Sequence, residues 1–159
     1  MAILILMGVT VFLAVADILI KSYVEGNLVK GEERRLSDKV VMRKVYNKGF
    51  CLNFLSDRPE TVRIASAFAA VLLTIYQLIT LLRKKKYVKK VGLSLMTAGA
   101  WSNTFDRWIR GYVIDYVGFR SRHKKLSEIT YNLGDFFIGA GAVLVVLSSL
   151  FRGGKKKSQ

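Results

Sequence analysis

A single cysteine, Cys51, and a single histidine, His123, stand in this chain of 159 residues. One cysteine cannot build a disulfide framework, and one cysteine with one histidine cannot build a zinc cage. His123 lies alone in a basic segment, so no Ser-His-Asp triad of the usual kind is available. Cys51 has no neighbouring histidine to activate it and reads as a small apolar packing residue. Any hydrolytic chemistry is left to carboxylates or lysines. Acids are scarce too: 11 Asp+Glu face 26 Lys+Arg, a formal charge of +15. A nucleic-acid-binding protein with that charge would interleave basic and aromatic residues in a loop long enough to form a binding surface. Here 52% of the residues are apolar, and short basic clusters alternate with long uncharged runs. Plentiful apolar residues exclude disorder, and the alternation reads as a membrane protein.

The apolar runs predict one integral membrane domain over 1–159, an all-α bundle with spans at about 1–20, 64–82, 91–108 and 129–151 and a basic tail at 152–159. About 20 apolar residues cross the hydrocarbon layer. The first run carries one charge, Asp17, and lacks the basic start of a cleaved leader. The second is uncharged and ends in Arg83-Lys84-Lys85-Lys86. The third is rich in small residues, with Ser94, Ala98 and Ser102 at four-residue spacing like a packing row inside a bundle. The fourth carries only Asp135. Arg83 to Lys90 and the tail with Lys155, Lys156 and Lys157 hold basic residues and no acid, which predicts that both lie in the cytoplasm with both termini. Residues 40–55 mix β-branched and aromatic side chains with Asn47 and Gly49. They predict a small extracytoplasmic β-type element between the first two spans.

Carboxylates at membrane depth are the informative residues. One at mid-helix costs about 2.5 to 3.5 kcal/mol on insertion scales, so those that persist are used inside the bundle. Asp17 precedes Lys21 by four residues, the favourable order for a helical ion pair. A structural pair and a catalytic role both remain open there. Asn103, Asp106 and Arg107 share a face at the end of the third run, where the acid beside an arginine reads as structural or substrate-positioning. Asp115 stands in the apolar stretch Val113-Ile114-Asp115-Tyr116-Val117, and Asp135 follows Asn132 by one turn. Two such acids, expected on successive outer helix ends, suggest a pair. Facing each other, they would share one proton, which suits peptide hydrolysis by an activated water. Lys21 and Ser22 make a poor alternative dyad, because helix neighbours point about 100° apart. A small non-enzymatic four-helix transporter or channel subunit is the other reading, and it predicts acids along one continuous path across the bilayer.

In chain order the motifs are Asp17 to Lys21, Asn47-Lys48-Gly49-Phe50, Gly99-Ala100-Trp101-Ser102-Asn103-Thr104-Phe105-Asp106-Arg107, Val113-Ile114-Asp115-Tyr116 and Tyr131-Asn132-Leu133-Gly134-Asp135. The set resembles the lipoprotein signal peptidases, signal peptidase II, over nearly the whole chain. The resemblance implies a bacterial plasma-membrane aspartic endopeptidase that removes signal peptides from prolipoproteins already modified with diacylglyceryl, cutting just before the modified cysteine. It implies Asp115 and Asp135 as the catalytic aspartates. Asn103, Asp106, Arg107, Asn132, Asn47, Asp17 and Lys21 match its substrate-binding or supporting positions, Asn132 and Asn103 being suited to donate to a peptide carbonyl. The implied partners are the lipid-modified substrate and membrane lipids, with no nucleic acid, no metal and no cofactor, and a monomeric enzyme. Three departures bear on substrate preference: Trp101 and Ser102 stand in a wall that is usually Gly-Ala-Leu-Gly, bulkier residues follow Gly49, and Gly134 replaces the usual alanine before the second aspartate. Trp101, Trp108, Tyr112, Tyr116 and Tyr131 are expected in an interfacial aromatic belt.

Overall fold

A computed structural model describes residues 2–50, 54–121, 123 and 127–153; Cys51, and the tail lysines Lys155 to Lys157, lie outside them. Four long helices and a small sheet follow in the order α1 (Ala2–Asn27), β1 (Glu33–Arg35), β2 (Val40–Asn47), α2 (Pro59–Leu81), α3 (Tyr87–Ile109), β3 (Val113–Phe119), β4 (Thr130–Tyr131) and α4 (Leu133–Gly153). The architecture is mostly helical, as the sequence predicts, with strands where the β-branched run lies. Among the described residues, three helices are long and apolar enough to cross a membrane, over Ile3–Asn27, Pro59–Leu81 and Leu133–Leu150. α3 is as long as α2 but falls outside that group, because one face carries Ser94, Thr97, Ser102, Asn103, Thr104 and Asp106, all buried against neighbouring helices.

α3 is the centre of the bundle, packed on α1, α2 and above all α4. Its small residues let the backbones meet. A Cβ added at Gly92 would lie 2.8 Å from the Gly141 carbonyl oxygen, and one added at Gly99 would collide with the Gly134 carbonyl oxygen and come within 2.9 Å of Ile138 Cγ1. The predicted row of Ser94, Ala98 and Ser102 is buried. Gln77 of α2 joins three helices, its amide donating to Thr10 Oγ1 at 2.9 Å and Ser94 Oγ at 3.1 Å. Gly99→Ala is expected to lower stability by about 1–3 kcal/mol through overpacking against backbone. Thermal unfolding in detergent checks this, and an unchanged midpoint would mean that the seam does not set the α3–α4 distance.

The sheet is antiparallel in the order β1-β2-β3-β4. Val24 and Leu28 at the end of α1 pack on Ile114 and Tyr116 of β3, so one face of the sheet rests on α1. Between Met42 and Val45 the β2–β3 register shifts by one residue: Met42 pairs with Val117, and Val45 with Asp115. Side chains alternate across a strand, so this bulge puts Asn47 on the face of Asp115, where uninterrupted pairing would put Tyr46. Gly111, at φ +81, ends α3 in a left-handed turn that only glycine adopts without strain and sends the chain back into β3.

Candidate active site

The residues singled out in the sequence come together where α1, α3 and the start of α4 meet β3. Asp115 is at the middle of a strand rather than at a helix end. Alternating Val113, Asp115 and Val117 on one face, with β-branched and aromatic neighbours on the other, made the segment a strand. β4 pairs beside it, with Tyr131 opposite Val117, and so delivers Asn132 next to Asp115. The bulge residue Arg43 holds that approach, donating to Thr130 Oγ1 at 2.7 Å and to the carbonyls of Ser127 and Ile129 at 2.7 and 2.9 Å.

Asn132 and Asp135 cap α4 reciprocally. The Asp135 N–H donates to Asn132 Oδ1 at 3.0 Å, and the Asn132 N–H donates to Asp135 Oδ2 at 3.1 Å. With its oxygen occupied by an obligate donor, the Asn132 amide must turn its NH2 outward, and it donates to Asp115 Oδ1 at 2.7 Å. Asn132 therefore contacts both aspartates. Two more asparagines are oriented the same way. Asn47 Oδ1 accepts from the Gly49 N–H at 3.0 Å, and its NH2 donates to Asp115 Oδ2 at 3.1 Å. Asn103 Oδ1 accepts from the Lys21 ammonium at 2.7 Å, and its NH2 donates to Asp135 Oδ1 at 3.1 Å. The first amide hydrogens of Asn103 and Asn132 thus go to the aspartates, leaving each one more for another acceptor.

Beneath this layer lies a buried ion network. The Lys21 ammonium is 3.0 Å from Asp17 Oδ2 and 3.2 Å from Asp106 Oδ2, with all three side chains at 0% exposure. The predicted Asp17–Lys21 pair is therefore present and has a second acid. Asp106 does not pair with Arg107 as its place in the sequence suggested. It pairs with Arg110 one turn on and accepts from the Ile114 N–H at 3.2 Å, tying α3 to β3. Arg107 instead donates to the Gly49 carbonyl at 2.8 Å and stacks over Phe50, with its Nε buried and unpartnered among the described residues. Such a pair of charges is tolerated out of water only with further hydrogen bonds, and Ser102 and Tyr116 supply them. Ser102 Oγ accepts from Lys21 at 3.0 Å and donates to Asp17 Oδ2 at 2.6 Å, while Tyr116 donates to Asp17 Oδ1 at 2.8 Å.

Neither of these roles was read from the sequence. Ser102 reads in the sequence as part of a packing row and as a change to a wall, and its place in the buried row requires a partner for its hydroxyl. Tyr116, expected in the aromatic belt, is instead 3% exposed, since strand alternation turns it away from Asp115 and into the bundle. Trp101 and Trp108 are exposed as a belt requires. At Gly134 a Cβ would lie 2.9 Å from Asp17 Oδ2, the oxygen that Ser102 holds, which explains a glycine there.

Burial pushes the Asp115 carboxyl up to about 7; the charge of Asp135 adds to the shift, and the amides of Asn132 and Asn47 oppose it. Near neutral pH the site can hold a proton and a negative charge side by side, which is the equipment for general acid and general base catalysis.

A mostly helical membrane protein with two aspartates linked through one asparagine at the end of its bundle carries groups of the kind a membrane-embedded hydrolase needs. A family model described as signal peptidase (SPase) II matches residues 9–151, and the chain belongs to that family of aspartic peptidases. It is 32% identical over 131 residues to the lipoprotein signal peptidase of Mesorhizobium japonicum, covering 82% of this chain and 76% of the relative. It is 31% identical over 144 residues to that of Sinorhizobium fredii, covering 91% and 85%. A solved bacterial membrane enzyme shares the fold, with a TM-score of 0.79 at 19% identity over 95% of this chain and 91% of that one.

Proposed function

We propose that this chain removes signal peptides from prolipoproteins by aspartyl-catalysed hydrolysis. The observation that carries the reading is the shared hold of Asn132 on Asp115 and Asp135. The ionised aspartate takes a proton from a water, whose oxygen attacks the scissile carbonyl carbon. The protonated aspartate hydrogen-bonds the carbonyl oxygen and then gives its proton to the leaving nitrogen as the C–N bond breaks. Asn47, Asn103 and Asn132 orient the carboxylates, and the remaining amide hydrogens of Asn103 and Asn132 face the peptide. Arg107, anchored on Gly49, lines the substrate side. Asp17, Lys21 and Asp106 hold Asn103 and β3 in place.

The substrate class is a prolipoprotein carrying diacylglyceryl on the cysteine after the cut. Its acyl chains and signal helix bring it laterally through the bilayer to a site at the interface. α3 is the fourth crossing helix: its polar face is turned inward, and exposed Val91, Trp101 and Phe105 lie on its outer side. The acid-free basic clusters put both termini in the cytoplasm and the aspartates near the extracytoplasmic face. Every proposed site residue comes from one chain and one domain, in keeping with a monomer. A transporter path draws no support, since the other polar side chains buried along the described helices, such as Thr10, Gln77, Ser94 and Thr97, are uncharged.

The test is cleavage by purified protein in detergent of one prolipoprotein in two forms, with and without diacylglyceryl on its cysteine. The modified form is expected to be cut before that cysteine and the unmodified form to be left intact. A modified substrate left whole by folded protein sinks the reading.

A further inference from the structure

We propose that the end of the bundle opposite the aspartates binds an anionic glycerophospholipid in a groove between α3 and α4. It rests on the reading that both helices cross the bilayer. The glycine contacts that close the α3–α4 seam run from Gly99 and Gly134 to Gly92 and Gly141. Beyond it, Val88 and Leu147, four and six residues further along their helices, line the gap and are too large for backbone contact. The helices leave a cavity of about 470 Å³ there, walled by Tyr87, Val88 and Leu147 and rimmed by Lys85, Lys86 and Lys89.

Among the described residues no acid lines the groove, and none lies in the first turn of α3. That turn has no side-chain cap, so its peptide N–H groups and the positive end of the helix add to the field of the lysines. Arg83, Lys84 and Lys90 extend the positive surface on either side. The rim calls for a phosphate and the walls for hydrocarbon. Val88 is 51% exposed and Tyr87 70% exposed, so the groove opens sideways toward the acyl region as well as toward water. A soluble anion would meet the lysines and leave the apolar walls wet. A glycerophospholipid satisfies both surfaces, and basic pockets between membrane helices are suited to such head groups.

Purified protein in neutral detergent, mixed with equal amounts of phosphatidylglycerol and phosphatidylcholine, is expected to retain phosphatidylglycerol preferentially in native mass spectra. Each lysine near an anionic head group is worth ~1 kcal/mol, so Lys85→Gln and Lys89→Gln should each weaken retention about five-fold. Leu147→Trp, which fills the groove without touching charge, should abolish the preference. Neutralising the tail lysines Lys155, Lys156 and Lys157 should leave it in place. Equal retention of the two lipids, unchanged retention in Leu147→Trp, or displacement of the lipid by inorganic phosphate overturns the proposal. Protein that retains phosphatidylglycerol selectively but leaves the modified prolipoprotein intact supports this site while sinking the peptidase reading.

Discussion

Asp115→Asn and Asp135→Asn are each expected to fold and to lose cleavage of the modified prolipoprotein by on the order of 10³-fold or more, each aspartate carrying proton transfers worth about 10²–10⁴-fold. Asparagine keeps the shape of either side chain but can neither take a proton from water nor give one to the leaving nitrogen. Cys51→Ala is the control and should cut at the parental rate. The pH profile adds a second readout. With the Asp115 carboxyl pushed up to about 7, the acid is protonated below that value. Cleavage should therefore hold through weakly acidic pH and fall as pH rises past about 7, where the pair loses the proton it shares. Asn47→Ala removes a hydrogen bond that favours the charged form, so it should move that falling limb upward. An Asn variant that cuts at the parental rate would end the dyad mechanism, and a profile rising through pH 7 would contradict the assignment of the proton.

Lys21→Met should produce the largest loss of stability, about 3–5 kcal/mol, the usual penalty for removing one partner of a buried ion pair. It strands Asp17 and Asp106 together at 0% exposure with only Arg110 at the rim of the network. Formal charge gives a sharper version of the test. In the parent, Asp17 and Asp106 balance Lys21 and Arg110; Lys21→Met leaves one excess negative charge, and adding Asp17→Asn removes it. The double variant should thus be more stable than the single one in chemical unfolding. If Lys21→Met unfolds at the parental midpoint, the network is not what holds α1 to α3. Activity should fall in both variants, because Asn103 loses the donor that fixes its amide.

The helical frame and the identities of the paired acids were legible in the sequence because each is written locally. Apolar runs of membrane length mark helices, and a carboxylate in such a run stands out. Asp115 shows where local signals end: its isolation was visible, but its strand became recognisable only with β2 as a partner. Arg107 and Asp106 show the same limit on a helix. Their spacing allowed a shared face, yet Gly49, which holds Arg107, and Lys21, which pairs with Asp106 beside the local Arg110, come from elements far along the chain. The partners of Ser102 and Tyr116 escape the local pattern for a related reason. A buried hydroxyl goes to whatever acceptor the tertiary fold brings, and the acceptor for both is Asp17 of α1.

The shifted β2–β3 register makes the chain unequal in its tolerance of length changes. Residues gained or lost in the hairpin before Val40 alter only the loop between β1 and β2. Loss of Arg43 from the stretch between Met42 and Val45 would instead let the two registers join without a bulge and remove the tether of that side chain to the segment before α4. Insertions in descendants of this sequence should gather in the first place and be purged from the second.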